Sequence, residues 1–289
     1  MEEALNPIRN SILKTLAYRN VFSYPLTFHQ LYTYVISESG FSFEEFKEAL
    51  RNLLTEKIIF YEDGFFHLGS AVIEDRKRRE EDSRKLLLKA QKISRILGAN
   101  PFVKLIAVTG AVAAGNAVEN DDIDVMVITT KDRLWLGRFF TVLMLKALNL
   151  YRTDKDAGGK ICPNIFIDEE NLEWGYAKNV YIAHEILLMQ PVFDRGGYYF
   201  RFLNANRWSF EFLPHVKVKA KDEEFKSPER FFNFLITFEY LLMKLQLWYM
   251  QKRITNEITT DRLIHFRRDD HSSWILTSYE EGLKRLGVD

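Results

Sequence analysis

Residues 108–128 read VTGAVAAGNAVENDDIDVMVI and decide how the middle of this chain folds. An apolar run over 103–108 precedes a glycine, and a second apolar, β-prone run follows Asp124. This pattern predicts a strand, a tight turn at Gly110, a short helix, an acidic loop and a second strand. The stretch between Gly110 and Asp124 is long enough for the short helix and the returning loop.

Two aspartates at the start of the second predicted strand point to the chemistry. Asp122 and Asp124 are two positions apart, so their side chains lie on the same face of a strand. Neighbouring carboxylates repel each other and lose hydration on burial, and a divalent cation relieves both effects. We expect Mg²⁺, because it takes oxygen ligands and is commonly shared with substrate phosphates. The pair therefore indicates phosphoryl or nucleotidyl transfer.

The turn at Gly110 has the features of a phosphate-binding element. Glycine adopts unusual dihedral angles without strain and lets a ligand approach the main chain closely. Residues 111–117 are predicted to begin a helix, whose free amides can hold an anion. The glycine turn and the aspartate pair together predict a site for a polyphosphate.

These residues resemble the signature of the polymerase-beta-like nucleotidyltransferases, and the fuller stretch resembles bacterial stand-alone members of that superfamily. The resemblance implies a mixed-sheet core, a nucleoside triphosphate substrate, Mg²⁺ as cofactor and an acceptor hydroxyl on a small molecule, an RNA end or a protein side chain. It implies that Asp122 and Asp124 are catalytic and hold the metal. The residues that it assigns to nucleotide binding are Thr109, Gly110, Ala111 and Asn116.

The chain departs from the family pattern at two places. Ala111 replaces the usual serine after the glycine, so one hydroxyl contact to phosphate is missing. The family's third carboxylate lies on a neighbouring strand, and two residues of the run 161–168 are candidates for that position. Asp168 would complete a catalytic triad, whereas Asn164 in its place can coordinate through oxygen but cannot accept a proton. Strand alternation predicts that Asn164, Phe166 and Asp168 share one strand face.

Other chemistry-bearing residues have simpler interpretations. His184 and Glu185 lie on a helix predicted over 179–189. No second histidine lies at metal-ligand spacing, so a zinc site is not expected and His184 is interpreted as a packing residue. Cys162 has no evident catalytic partner and is expected to be buried. The basic run at 76–79 precedes acidic residues at helical spacing, which predicts a solvated face with internal ion pairs.

Composition limits the partners and the compartment. Lys plus Arg and Asp plus Glu both number 40, so no net field attracts nucleic acid or an anionic membrane. The single cysteine indicates a reducing interior. The acidic N-terminus does not resemble a signal peptide, and charges interrupt every apolar stretch before membrane-spanning length. We expect a cytoplasmic protein without membrane contact.

The periodicities predict an α+β, multi-domain chain. Residues 1–72 show three helices, over 7–18, 27–37 and 42–54, and then a hairpin, which resembles a winged helix. Residues 73–100 are predicted to form a connector helix, 101–215 the mixed-sheet nucleotidyltransferase core and 216–289 a C-terminal helical region. Helices are predicted there over 231–253 and 274–286.

Two alternative functions remain open. Ala111 and the uncertain third carboxylate are also compatible with a nucleotide-binding regulator or pseudoenzyme. The winged-helix resemblance favours a DNA-binding regulator, but residues 1–70 contain nine acids and six bases, a net charge of −3. Affinity for the DNA backbone depends on several contacts from Lys or Arg to phosphate, so we do not expect DNA as a partner.

Overall fold

Residues 2–69 fold around their own small sheet. The computed structural model describes residues 2–69, 73–175, 177–218, 236–250, 258–265 and 271–288. In this first segment, strands β1, β3 and β2 pair antiparallel in that order. The elements are α1 (Glu2–Asn20), β1 (Leu26–Thr27), α2 (Phe28–Thr33), α3 (Phe43–Thr55), β2 (Phe60–Glu62) and β3 (Phe65–His67).

Side-chain caps start two helices of this segment. Thr27 and Gln30 form a reciprocal capping box at α2, and Ser42 and Glu45 form one at α3. Each box satisfies main-chain N–H groups that the first helical turn leaves without partners. The three predicted helices and the hairpin are confirmed, although α2 ends at Thr33, earlier than expected.

A long helix, α4 (Ile73–Leu97), connects this segment to the central sheet. Its basic run is only partly a solvated face. Arg78 pairs with Asp75 at the surface, but Arg76 is buried with its guanidinium 3.9 Å from the centre of the Tyr24 ring. Arg76 therefore fixes the helix to the N-terminal segment, and the predicted solvated role is wrong for this residue.

The central sheet is mixed, as predicted, and the chain is α+β. Its strand order is β7-β4-β5-β6-β9-β8, with β5 and β6 parallel and the other neighbours antiparallel. The strands are β4 (Val103–Val108), β5 (Ile123–Thr129), β6 (Ile161–Asp168), β7 (Gln190–Asp194), β8 (Ile258–Thr259) and β9 (Leu263–His265). Strands β8 and β9 belong to the region that we expected to be helical, and they are too short to produce a clear sequence pattern.

Helices cover both faces of the sheet. Val125 and Val127 pack with α4 and α6, whereas Met126 and Ile128 pack with α7, α8 and the end of α1. The remaining helices are α5 (Gly110–Ala114), α6 (Leu134–Ala147), α7 (Val180–Leu188), α8 (Tyr198–Ala205), α9 (Ser209–Phe212), α10 (Ile236–Met250) and α11 (His271–Leu286). The middle strands are therefore buried on both faces, and only their ends can present polar groups.

The C-terminal helices agree with the predicted ones where the structure describes them. Helix α10 lies within the predicted 231–253, and α11 includes the predicted 274–286. Residues 231–235 and 251–253 of the first prediction lie outside the described residues. Among the helices of the described residues, none has the length and apolar character needed to cross a bilayer.

Candidate metal and nucleotide site

The two aspartates lie at the edge of a large cleft, at the start of β5. Asp122 immediately precedes the strand and Asp124 is its second residue, and both line the cleft. One carboxylate oxygen of each, together with Sγ of Cys162, lies within 4.8 Å of the others. These three side chains form a group that could hold a metal ion.

Cys162 enters this cluster through strand pairing. Strands β5 and β6 run parallel, and Cys162 is the register partner of Asp124. The cysteine is only partly buried and lines the cleft, so the expectation of a buried residue without a functional neighbour is wrong. The sequence could not show this, because the relative register of two strands more than thirty residues apart is a tertiary property.

An irregularity in β6 brings Asn164 to the same aspartate. Val125 pairs with Pro163 but Met126 pairs with Ile165, so Asn164 is an extra residue in the ladder. Proline cannot donate a ladder hydrogen bond and is tolerated at such bulges. Nδ2 of Asn164 donates to Oδ1 of Asp124 at 2.9 Å, and Oδ1 of Asn164 is buried without a partner among the described residues.

Asp168 does not join the cluster. It is the register partner of Thr129 at the other end of β6, about 20 Å along the strand from Cys162. It is fully buried, and its oxygens accept hydrogen bonds from the main-chain N–H groups of Asp132 and Glu170. Asp168 therefore stabilises loops, and of the two candidates for the third position only Asn164 lies beside the aspartate pair.

The bulge also explains why the expected strand face is wrong. A straight strand would place Asn164, Phe166 and Asp168 on one face. The extra residue reverses the alternation, so Asn164 contacts Asp124 while Phe166 packs with Val125 on the opposite face. Only the polar position nearest the aspartate pair faces the cleft.

The glycine turn lies directly beside Asp124. Gly110 has φ +63°, and a Cβ at this position would lie 3.2 Å from Oδ2 of Asp124. The main-chain N–H of Thr109 donates to the carbonyl oxygen of Asp124 at 3.0 Å, which ties the turn to the strand. Thr109, Gly110 and Ala111 all line the cleft, so the structure brings the predicted turn and the aspartates together.

Asn116 lines the cleft, and its side chain also forms hydrogen bonds to other parts of the structure. Its Nδ2 donates to the carbonyl oxygen of Phe22, and its Oδ1 accepts from Arg79, each at 3.2 Å. These bonds connect the helix-to-loop region after Gly110 with the N-terminal segment and with α4. The predicted role of Asn116 in nucleotide binding thus competes with a role in joining three elements.

Glu185 is a site residue that the sequence reasoning missed. It lies on α7, lines the cleft and accepts a hydrogen bond from the main chain of Gly110. Burial raises the pKa of Glu185 to about 7, against the lowering effects of that hydrogen bond and of the Arg19 charge. Because Gly110 follows β4, Glu185 lies on the β4 side of Asp124, whereas Asn164 lies on the β6 side. Its neighbour His184 is a packing residue as predicted, buried and stacked 4.2 Å from Tyr18.

Charges around Asp124 oppose its ionisation. Burial, the Asp122 carboxylate and Glu185 together raise the pKa of Asp124 to about 7, while Cys162 and Arg152 act in the other direction. Arg152 was also missed: its Nε lies 3.0 Å from Oδ2 of Asp122. A cation bound between the aspartates would favour the ionised pair and would weaken this ion pair.

The cleft has a volume of about 1520 Å³ and three kinds of wall. The first is the polar edge of the sheet described above. The second is apolar and comes from α6 and α10, where Leu245 and Trp248 are exposed. The third is the end of α1 and the loop after it, including Arg19 and Tyr24. The site therefore combines elements from the N-terminal, central and C-terminal parts of the chain.

Comparison of the chain with protein-family models, with curated proteins and with solved structures gave no match.

Proposed function

We propose that this protein is a nucleotidyltransferase of the polymerase-beta-like superfamily with a winged-helix-like N-terminal module. It would transfer a nucleoside monophosphate from a nucleoside triphosphate to an acceptor hydroxyl. The observation that carries the proposal is the contact between the Gly110 turn and Asp124, with Asp122 in the same cluster at the edge of a large cleft. This arrangement places a cation-binding pair next to a main-chain turn that a polyphosphate can approach.

The donor set fits a divalent cation. Asp122 and Asp124 supply carboxylate oxygens. Asn164 contacts Asp124 through its amide nitrogen, and its Oδ1, which has no partner among the described residues, could supply a neutral oxygen. An oxygen-rich set suits Mg²⁺ or Mn²⁺, whereas the thiol of Cys162 adds a softer donor that zinc prefers. Burial and the nearby carboxylates raise the pKa of this thiol, so a neutral thiol leaves the oxygens as the main ligands. We therefore retain Mg²⁺ as the cofactor.

The proposed reaction forms one bond and breaks one. The acceptor oxygen attacks the α-phosphorus, the bond from that phosphorus to the β-phosphate oxygen breaks, and pyrophosphate leaves. Asp122 and Asp124 would hold the Mg²⁺, which would lower the pKa of the acceptor hydroxyl and neutralise charge on the leaving group. The hydroxyl proton passes to water in the open cleft, since Asn164, in place of a carboxylate, cannot take it.

The chain's own residues divide the cleft into two sides. Thr109, Gly110 and Ala111 form the polyphosphate side, next to β4. The acceptor side lies next to β6, between Asn164 and the apolar wall from α10. A small molecule, an RNA end or a protein side chain could each present a hydroxyl there, and the excess of acidic residues in the N-terminal segment argues against DNA.

Transfer is tested by incubating the protein and Mg²⁺ with each of the four labelled ribonucleoside triphosphates in cell extract. We expect one nucleotide to label an acceptor and to release pyrophosphate. The Asp122→Asn, Asp124→Asn double variant should lose both products. Asp121→Asn is the matched control, because Asp121 caps the adjacent turn through the N–H of Val118 and lies outside the cluster. Equal labelling by the wild type and the double variant would refute the proposed site.

A second candidate function is nucleotide binding without transfer. It is favoured by Asn164, which takes the place next to Asp124 where a proton-accepting carboxylate would be expected. In that case the wild type binds a nucleoside triphosphate in an aspartate-dependent manner but releases no pyrophosphate with any acceptor fraction. Release of pyrophosphate excludes this alternative.

A further inference from the structure

The end of α1 places a buried arginine in the cleft wall. Arg19 is 5% exposed, and its guanidinium lies 5.5 to 6.0 Å from the ring centres of Tyr18, Tyr24 and Tyr34. Within the part of the chain that the structure describes, its Nε is buried without a hydrogen-bond partner. Aromatic faces attract the cation but do not accept its N–H groups as a carboxylate or phosphate does.

A second buried arginine near Tyr24, Arg76 of α4, has polar partners for its guanidinium. Arg76 also lies over Tyr24, but its Nε donates to the carbonyl oxygen of Pro25 at 3.1 Å and its terminal nitrogen pairs with Glu80 at 2.8 Å. Leaving a buried charge incompletely paired costs free energy, and burial accordingly lowers the pKa of Arg19. A bound anion would remove this cost, and unlike Arg76, Arg19 lines the cleft.

We propose that Arg19 binds a phosphate group of the nucleoside triphosphate, so that the N-terminal segment completes the polyphosphate site. This inference rests on the proposed function and extends it. The guanidinium is then a ligand for the portion that leaves as pyrophosphate, which carries the most charge. An N-terminal module that is too acidic for DNA thereby acquires a role in substrate binding.

The interactions of Glu185 indicate that Arg19 acts on the β4 side of the cleft, beside the Gly110 turn. The Glu185 carboxylate receives a main-chain hydrogen bond from Gly110 and is stabilised by the charge of Arg19. Two independent features of the cleft therefore favour negative charge at this place. A phosphate oxygen that displaces this carboxylate would gain the same two interactions on the β4 side, beside Asp124.

The test is a calorimetric titration in which inorganic tripolyphosphate is added to the protein in the presence of Mg²⁺. This ligand has no nucleobase, so the experiment does not depend on which nucleotide the protein prefers. We expect Arg19→Gln to weaken binding about tenfold or more, as for loss of a charge-assisted hydrogen bond, and Arg19→Lys to recover part of the loss. Arg76→Gln is the matched control and should bind within about twofold of the wild type. Thermal unfolding checks that each variant is folded. If Arg19→Gln does not fold, the tripolyphosphate affinity of Arg19→Lys is the test, and an affinity equal to that of the wild type would count against the role of Arg19.

The outcomes separate the two proposals. If Arg19→Gln binds like the wild type, or if Arg76→Gln loses as much affinity, the role of Arg19 is overturned while the aspartate site stands. If only the Asp122→Asn, Asp124→Asn variant keeps wild-type affinity, the metal site fails and the role of Arg19 stands. Absence of binding to the wild-type protein would overturn both.

Discussion

The side-chain amide of Asn164 donates a 2.9 Å hydrogen bond to Oδ1 of Asp124, across two parallel strands of the central sheet. The bond exists because a bulge after Pro163 turns Asn164 toward the cleft. It orients the aspartate, and the amide oxygen of Asn164 is buried with no hydrogen-bond partner in the part of the chain that the structure describes. This relationship places a neutral side chain beside Asp124, at the position where the proposed function would lead us to expect a third carboxylate.

Asn164→Asp should convert the neutral position into a third carboxylate. Without metal, we expect a lower melting temperature at pH 8, because the hydrogen bond is lost and a third negative charge is added. With Mn²⁺ or Mg²⁺, the extra oxygen ligand should raise affinity about tenfold, since affinity follows the charge of the ligand set. Metal titrations and melting curves measure both effects. Asn164→Ala is the control, and equal metal affinity in both variants would contradict the prediction.

Gly110→Ala should lower nucleotide affinity in addition to the loss of stability that a left-handed alanine causes. A left-handed residue with a Cβ costs about 1–2 kcal/mol, and here the Cβ also meets Oδ2 of Asp124. Gly197→Ala is a matched control, since Gly197 has φ +71° and nothing within 4 Å of its Cβ position. We expect the free energy of unfolding to fall in both variants but nucleotide affinity to fall only in Gly110→Ala. Equal nucleotide affinity would show that the turn is not part of the site.

The pKa of Asp124 predicts a pH-dependent stability. Its pKa rises from 3.8 to about 7 on folding, so the folded protein holds this proton more tightly than the unfolded chain. Stability should therefore fall as the pH rises from about 4 to about 7 and stay reduced above that range. Asp124→Asn removes the effect and should raise the melting temperature at pH 8 more than at pH 4. An equal change at both pH values would contradict the raised pKa.

Arg152→Gln should strengthen divalent metal binding. Arg152 neutralises Asp122 in the absence of metal, and its charge repels a cation at the same oxygens. Its removal should raise Mg²⁺ affinity several-fold at low ionic strength and less at high salt, where charges are screened. Lys85→Gln, which removes a surface pair with Glu81, is the control. A loss of metal affinity in Arg152→Gln would show that this arginine supports the site.

Glu185→Gln separates the phosphate side from the metal side. Above pH 7 the Glu185 carboxylate is ionised and competes with phosphate for the Gly110 main chain. The variant should therefore bind tripolyphosphate more tightly than the wild type at pH 8 and nearly equally at pH 6. The measurement is the ratio of dissociation constants at the two pH values. A ratio that does not change with pH would remove Glu185 from the phosphate side.

The features of this site that depend on neighbouring residues could be predicted from the sequence. The features that depend on strand register and helix packing could not. The strand, turn and acidic loop over 108–128 follow from periodicity and from Gly110, which the turn requires. Asp122 and Asp124 share an edge because of strand geometry alone. Cys162 and Asn164 depend on register and on a bulge, and Glu185 depends on how a helix packs, so no local pattern identifies them.

The same distinction applies to the fold. The capping boxes at Thr27 and Ser42 mark two helices because they act over three residues. The pairing of β9 with β6 joins residues almost a hundred positions apart, as in the Ile167–Leu263 pair, and β9 itself is only three residues long, too short for a sequence pattern. The bulge in β6 is likewise not evident in the sequence, and this one extra residue changes which side chains of the strand face the cleft.

The most direct test of the aspartate site is electron paramagnetic resonance titration of Mn²⁺, as a stand-in for Mg²⁺, at pH 8. The wild-type protein should bind Mn²⁺ and bind it more tightly when a nucleoside triphosphate is present. The Asp122→Asn, Asp124→Asn variant, checked for folding by its melting curve, should leave the Mn²⁺ free. Equal binding of Mn²⁺ by the two folded proteins would contradict the account.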